Sequence, residues 1–221
     1  MSVLRAPFAA AVLTFLVSPL ASAQAAPRVE FRPFGLFAIE RFTASTTFEA
    51  NLGSSIQPLW GGGVEITTRR NVFVDVTVTR LSQDGQQAFV SGGQVFRLPI
   101  SLHASLTPVE FTVGYRFPPK RRAARRRRTT IIPYAGVGIG VYRYEQTSEF
   151  SVASEDVDET HAGFVAVGGA EFRVSKWIGI TADAQYTAVP GILGQTPSLS
   201  QQVGEHDLGG IAGRVRVILG R

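Results

Sequence analysis

The nine residues VEFTVGYRF, Val109 to Phe117, decide the fold that this sequence predicts. Successive side chains of a β-strand point to opposite faces of the sheet. Read with that period, one face of the stretch carries only valine and aromatic residues, from Val109 to Phe117. The other face carries Glu110, Thr112, Gly114 and Arg116. The stretch therefore predicts a two-faced strand, whose apolar face points either into a soluble barrel or outward to lipid.

Similar alternating segments recur along the chain between turn signals, and no segment of comparable length has the period of an amphipathic helix. Together they predict eight strands, each near the length that a tilted strand needs to cross a bilayer. The two segments that flank the short turn 69–71 are expected to form a hairpin. The predicted strands span 29–42, 60–68, 72–81, 106–117, 131–145, 162–174, 177–187 and 210–219.

The connections between these strands alternate in character. The stretches 42–57, 82–104, 146–160 and 188–206 are long and polar, and the second of them contains a small predicted hairpin about Gly92-Gly93. The stretches 69–71, 118–129 and 175–176 are mostly short. Short periplasmic turns and long external loops are typical of outer-membrane barrels.

Small residues indicate which face of the strands points inward. Glycines recur on the less apolar faces, for example at Gly61, Gly63, Gly114 and Gly138. On a solvated outer face they would only weaken the strands, whereas in a narrow lumen they make room for arginine and tyrosine side chains. Aromatic residues near the predicted periplasmic rim fit the girdle of a membrane barrel. We therefore predict an all-β fold, an eight-stranded antiparallel up-and-down transmembrane β-barrel with its polar faces inside.

The charged residues of the strands fall on these inner faces, with acids and bases nearly balanced. An unpaired buried ion costs several kcal/mol, so the charges of a lumen have to pair with one another. Such a network would plug the barrel with a polar core. The predicted lumen charge network consists of Glu65, Asp75, Glu110, Arg116, Glu171, Arg173, Asp183, Arg214 and Arg216.

The N-terminus has the organisation of a secretory signal. Arg5 precedes a short apolar run, which is followed by the small-residue box Ala21-Ser22-Ala23. We predict a signal peptide over 1–23 and a barrel domain over 24–221, although cleavage two residues later also fits the pattern. A retained membrane anchor is the alternative. The chain has no cysteine, which excludes disulfides and thiolate metal sites.

One segment accounts for the positive charge of the chain. Residues 118–129 contain seven basic residues, and removing these and Arg5 lowers the formal net charge from +5 by eight, to −3. Nucleic-acid binding is therefore not predicted. The segment is either a solvated periplasmic turn or a contact for anionic phospholipid headgroups or periplasmic polymers. Its basic residues are Lys120, Arg121, Arg122, Arg125, Arg126, Arg127 and Arg128.

The chain resembles the small outer-membrane beta-barrel domain family, which is similar to the transmembrane domain of outer membrane protein A. The resemblance rests on the signal, the eight alternating strands, "PYAGVGIGVYRY" (133–144) and the closing "LGGIAGRVRVILGR" (208–221). The resemblance implies an outer-membrane location and a monomer. It also implies the lipid bilayer, lipopolysaccharide and the barrel-assembly machinery as partners. Two departures stand out: the last residue is Arg221 where the family commonly has an aromatic residue, and the peptidoglycan-tethering role is not carried over, because no periplasmic domain follows the barrel.

No enzymatic, cofactor or metal site is predicted. The glycines of 136–140 lie inside a strand without a following helix, which favours lumen packing over a nucleotide loop. His103, His161 and His206 lie near the external strand ends. His206 has Glu205, Asp207, Ser198 and Ser200 nearby, as a lipid deacylase would require, but strand neighbours point to opposite faces and no nucleophile motif is present. The spacing of the acidic residues in 149–159 is not by itself enough to indicate a calcium site.

The predicted function is structural or adhesive, or an interaction role for four external loops around a plugged lumen. A barrel that transports or binds small solutes or lipids is the alternative, and a soluble lipid carrier is the third possibility. The loops, which usually carry specificity, contain no recognisable motif.

Overall fold

The computed structural model describes residues 29–68, 70–91, 94–118, 130–148, 157–193, 200 and 203–220. The predicted signal peptide, 1–23, lies outside these residues. Among the described residues, no helix is long and apolar enough to cross a membrane. The elements are β1 (Glu30–Phe42), α1 (Ser45–Leu52), β2 (Ile56–Thr67), β3 (Val72–Ser91), β4 (Gln94–Arg116), β5 (Thr130–Ser148), β6 (Val157–Arg173), β7 (Ile178–Ala188) and β8 (Gly210–Leu219).

The eight strands form a closed barrel in sequence order, and every neighbouring pair is antiparallel. The first strand meets the last in a register that runs from Phe34 opposite Ile218 to Phe42 opposite Gly210. The predicted hairpin of β2 and β3 is present, with Glu65 opposite Asp75. The eight-stranded up-and-down barrel predicted from the sequence is confirmed.

The deciding stretch, Val109 to Phe117, lies in β4 and just beyond it. Its five apolar and aromatic side chains are 41–52% exposed on the outside of the barrel. Glu110 and Arg116 are only 6% and 5% exposed. The apolar faces of the other strands likewise point outward. The barrel therefore presents an apolar outer wall and encloses its charged side chains.

The two ends of the barrel are named here after the connections that the sequence analysis placed at each of them. One end, here called the short-turn end, carries the connections β2–β3, β4–β5 and β6–β7. The other, the long-loop end, carries the connections β1–β2, β3–β4, β5–β6 and β7–β8.

Two features of the long-loop end differ from the prediction. The polar stretch after β1 contains the eight-residue helix α1, and β2 begins at Ile56 instead of Trp60. Residues 82–91 and 94–104 belong to the long strands β3 and β4, which remain paired as far as Ser91 and Gln94, so the predicted small hairpin is the far end of a much longer one. A register shift between Gln86 and Ala88 interrupts this pairing and obscures the alternation in the sequence.

Two inward glycines allow close packing in the lumen. A Cβ atom at Gly114 would lie 2.4 Å from the ring of Phe73, and one at Gly63 would lie 2.7 Å from the ring of Phe34. The space freed by these glycines is thus taken up by aromatic rings that point inward from neighbouring strands.

Candidate functional site

The lumen nearest the short-turn end is crossed by a layer of ion pairs. Arg32 binds Glu65 at 2.8 Å and Glu171 at 2.7 Å. Arg116 pairs with the same two carboxylates, and Arg173 Nε lies 2.7 Å from Glu171. The two acids are thus shared by three guanidinium groups. Because β1 and β4 are not neighbours of β6, these pairs bridge the inside of the barrel.

A second layer lies around Arg216, a residue of β8 that is 1% exposed. Its guanidinium lies 2.7 Å from Asp75 and 3.2 Å from Asp183, and it donates to the hydroxyl of Tyr134 at 2.6 Å. The same group stacks on the rings of Phe34 and Tyr134, at 5.1 and 5.2 Å from their centroids. Asp75, on β3, and Arg216, on β8, are again on strands that are not neighbours.

A third layer centres on Glu110. Its carboxylate accepts hydrogen bonds from the Tyr142 hydroxyl at 2.8 Å and from the Gln185 amide at 2.9 Å, and Arg214 lies 4.0 Å away. Arg214 also binds Asp183, which joins this layer to the second. Glu40 is close by and 7% exposed, but the described part of the chain supplies it with no ion pair within 4 Å. A cavity of about 20 Å³ beside Glu40 and Glu110 has room for about one water molecule.

Above these layers, toward the long-loop end, the interior is apolar. Leu59, Leu81 and Leu106 point inward and are at most 3% exposed. They pack in one cluster with Ile192 and Leu208 of the β7–β8 connection. The sequence analysis expected a polar interior along the whole barrel, and this expectation holds only for the short-turn half. The long-loop half is a hydrophobic core.

Helix α1 covers this apolar core. Phe48, on the helix, is 2% exposed and stacks on Phe42 with the ring centroids 4.4 Å apart. Its N-terminus has no cap from its own connection. The carboxylate of Glu205, in the β7–β8 connection, accepts hydrogen bonds from the backbone N–H groups of Thr46 and Thr47 at 2.9 and 2.8 Å. A carboxylate is favourable at this end of a helix dipole.

The other end of the helix is bound by a cation. Arg97, on β4, donates to the backbone carbonyls of Ala50 at 3.0 Å and Glu49 at 2.6 Å. Lysine and arginine are favourable near the negative end of a helix dipole. The β1–β2 connection, the β7–β8 connection and strand β4 are thus joined through α1. We call this helix, with Glu205 and Arg97, the capped lid.

The electrostatics of the lid depend on Glu205. Burial alone would raise the pKa of this carboxyl, but the hydrogen bonds donated by the Thr47 hydroxyl and by the amides of Thr47 and Thr46 outweigh burial and lower the pKa below its usual value. The charged form of Glu205 is therefore the form that holds the helix.

All nine residues of the predicted lumen charge network lie in the strands and take part in the contacts described above. Arg32, Tyr134, Tyr142 and Gln185 belong to the same contacts and were not included in the prediction. Arg32 and the two tyrosines fall on the inner faces by the same alternation, but the predicted network was limited to other charged residues. The seven basic residues from Lys120 to Arg128, proposed as a lipid contact, lie outside the described residues.

The three histidines have different surroundings. Of the residues that the sequence placed around His206, Glu205 is bound to α1, and Ser198 lies outside the described residues. Nε2 of His161 lies 3.4 Å from Glu159. His103 lies between Asp84 and Ser82, an arrangement that the sequence analysis did not anticipate.

Comparison with solved structures finds several barrels that are similar to this chain at low sequence identity. Neisserial surface protein A is 13% identical, with 86% of this chain and 96% of that chain covered and a TM-score of 0.46. The N-terminal β-barrel domain of Pseudomonas aeruginosa OprF is 9% identical, with 86% and 97% covered and a TM-score of 0.44. A major outer membrane protein of Thermus thermophilus is 10% identical, with 86% and 99% covered and a TM-score of 0.46.

No curated protein sequence matches the chain. The family described as outer membrane protein beta-barrel domain matches residues 9–202, which is most of the sequence. The apolar outer wall, the enclosed charges and the closed antiparallel topology agree with that match. This chain belongs to the outer membrane protein beta-barrel domain family.

Proposed function

We propose that this protein is a closed, non-conducting barrel of the outer membrane, with a structural or interaction role carried by its long-loop end. The observation that carries the proposal is the set of ion pairs between strands that are not neighbours. Arg32 reaches from β1 to Glu171 on β6, and Arg216 reaches from β8 to Asp75 on β3. An eight-stranded barrel is only wide enough for side chains to fill, so such pairs leave little room for a solute.

The apolar core and the capped lid support the same conclusion. A permeating ion would have to cross the inward leucines and then pass α1, whose Phe48 side chain is buried. In this arrangement the surface that partners can bind lies on the outer side of the lid and on the β3–β4 hairpin. The long-loop end faces the exterior in this proposal. It remains a prediction that the protein contacts lipopolysaccharide, is inserted by the barrel-assembly machinery and is a monomer.

Conductance across a planar bilayer tests the proposal. We expect the refolded protein to insert, to show the altered gel mobility of a folded barrel when unboiled, and to give no conductance steps. A matched variant with Glu171→Ala, Asp75→Ala and residues 45–52 replaced by a glycine-serine linker should give steps, because it lacks both the bridging acids and the lid. Steady conductance by the unaltered protein would contradict the proposal and favour a transport barrel.

Adhesion or another interaction at the long-loop end requires a separate measurement. Cells that carry the protein should differ in surface binding from cells that carry a version with 45–52 replaced. The outer-membrane amount of both versions serves as the control. Equal binding to host-cell, matrix and polysaccharide surfaces would favour a purely structural role.

A further inference from the structure

Three polar side chains meet on the outer wall at the base of the long β3–β4 hairpin. Asp84 lies directly opposite His103 in the strand register, and Ser82 lies two residues before Asp84 on the same face. Nδ1 of His103 is 2.6 Å from Oδ1 of Asp84, and Nε2 is 3.3 Å from Oγ of Ser82. All three residues are exposed.

This geometry is that of an activated serine. A serine becomes nucleophilic when a histidine base lies within hydrogen-bonding distance of its hydroxyl. The histidine is in turn oriented by an acid bound to its other ring nitrogen. In the described structure each nitrogen of His103 has the partner that this chemistry requires. The 3.3 Å separation suits a site without substrate, because such bonds tighten when the reacting complex forms.

The position on the wall indicates the kind of substrate. On β3 the outward side chains are Val74, Val76 and Val78, followed by Arg80 and then Ser82. The serine therefore lies just past the end of the apolar band, on the side that faces the membrane. Membrane lipids have their acyl esters at this boundary, where the hydrocarbon chains meet the headgroups.

Arg80 supplies a positive charge beside the serine. It is exposed, and strand geometry places its Cα about 7 Å from that of Ser82 on the same face. A guanidinium at this distance can reach a carbonyl oxygen that becomes negative during attack by the serine. His103 and Asp84 also line an open groove of about 730 Å³, to which Gln86 and Thr147 contribute.

We propose that Ser82, His103 and Asp84 form a hydrolytic site on the outer wall, which cleaves the carboxylic esters of lipids in the surrounding leaflet. Ser82 and His103 are the catalytic residues, Asp84 is the positioning residue, and Arg80 stabilises the oxyanion. This activity would be additional to the structural role of the barrel. It uses no residue of the lumen.

The reaction is an acyl transfer to serine followed by hydrolysis. Oγ of Ser82 attacks the ester carbonyl carbon while its proton passes to Nε2 of His103. The bond between the carbonyl carbon and the alcohol oxygen breaks, and the same proton passes to the leaving alcohol. Water then attacks the acyl-serine, gives a proton to His103, and displaces Ser82, which takes that proton back. The products are one alcohol and one fatty acid for each ester and water consumed.

The first test is covalent labelling of the folded protein in detergent micelles by a fluorophosphonate probe. We expect one labelled residue, identified as Ser82 by mass spectrometry, and at least a tenfold loss of labelling in Ser82→Ala and His103→Ala. Ser175→Ala is the control, because Ser175 is an exposed serine at the short-turn end, away from this groove. Its labelling should equal that of the unaltered protein, and the gel mobility of unboiled samples shows that each variant is folded.

The second test measures the release of fatty acid from vesicles of phospholipid and from vesicles of lipopolysaccharide. Release from either one, lost at least a hundredfold in Ser82→Ala, supports the proposal and identifies which lipid is the substrate. Asp84→Asn should lower kcat at least tenfold and leave KM unchanged, which loss of a merely structural contact would not do. Absence of labelling in the folded protein, or labelling without release from either vesicle, would overturn the proposal.

Discussion

The Glu205 carboxylate accepts two hydrogen bonds from Thr47, one from its backbone N–H at 2.8 Å and one from its hydroxyl at 2.7 Å. The first backbone N–H groups of a helix have no partner within the helix. In α1 this partner comes from the connection between the last two strands, 158 residues further along the chain. The stability of the lid is therefore a property of two connections together.

This contact predicts a pH dependence of the lid. The folded-state pKa of Glu205 is lowered from 4.5, so the stabilisation is fully present above about pH 4.5 and is lost as the pH falls through the lower folded value. We expect amide-exchange protection at Thr46 and Thr47, corrected for intrinsic rates, to fall between pH 6 and pH 3. Glu205→Gln should have the low protection at both pH values. Equal protection in the variant and the unaltered protein at pH 6 would contradict the role of Glu205 as a cap.

The lumen predicts opposite effects for two buried glutamates. Glu171 is shared by three arginines, so Glu171→Gln leaves cations without their partner and should lower the free energy of unfolding by about 3 kcal/mol. Glu40 has no ion pair among the described residues, so Glu40→Gln should leave stability unchanged or increase it. Urea unfolding in lipid vesicles, followed by the fluorescence of Trp60 and Trp177, measures both effects. Equal destabilisation by the two variants would argue against the ion pairs as the source of interior stability.

Glycine in the lumen predicts a steric effect. A methyl group at Gly114 would meet the Phe73 ring and the backbone carbonyl of Ala135 at 2.4 Å, so Gly114→Ala should cost at least about 2 kcal/mol. Gly213→Ala is the matched control, since no atom of the described part of the chain lies within 4 Å of its added carbon. The comparison uses the midpoint of heat-induced loss of the folded gel band. If both substitutions lower it equally, the loss comes from backbone effects and not from the aromatic contact.

The outer wall predicts a dependence on depth. Val137 lies at the middle of the outward apolar residues of β5 and is 68% exposed. Val137→Arg should destabilise the barrel in vesicles by about 2–4 kcal/mol, the cost of an arginine at the bilayer midplane. Thr160→Arg, near the long-loop end of β6, should cost at most about 1 kcal/mol. A similar cost for both would show that the apolar wall is not the lipid-facing surface.

Several parts of this architecture could be predicted from the sequence because they depend on local alternation. The stretch from Val109 to Phe117 was sufficient to separate wall from lumen, and Glu65, Glu171 and Arg216 could be assigned to the interior by the same period. Their specific partners could not be predicted. The pairing of Arg216 with Asp75 depends on how eight strands close around a lumen, which no single strand encodes.

Other parts were missed because their cause lies elsewhere in the chain. The N-cap position of α1 is Ala44, which makes no side-chain cap, and the apolar stripe of STTFEANL is too weak to indicate a helix. Besides the C-cap Gly53, the helix ends are bound by Glu205 and Arg97, which lie far away in the sequence. The apolar core was missed because inward leucines such as Leu81 and Leu106 lie on the same inner faces as charged residues. These faces were therefore read as polar along their whole length. The contact of Ser82 with His103 depends on the β3–β4 register beyond the predicted strand end.

The pairing of β1 with β8 sets an order for folding. Phe42 meets Gly210 across a separation of 168 residues (210 − 42), so the first strand keeps an open edge until the last strand has arrived. Such long-range pairing is slow, because the entropy of closing the chain is lost before the contacts form. An eight-residue helix is marginal by itself, and Glu205 is brought into place next to β8. Formation of α1 should therefore be a late event, and protection of its amides would report the moment at which the seam closes.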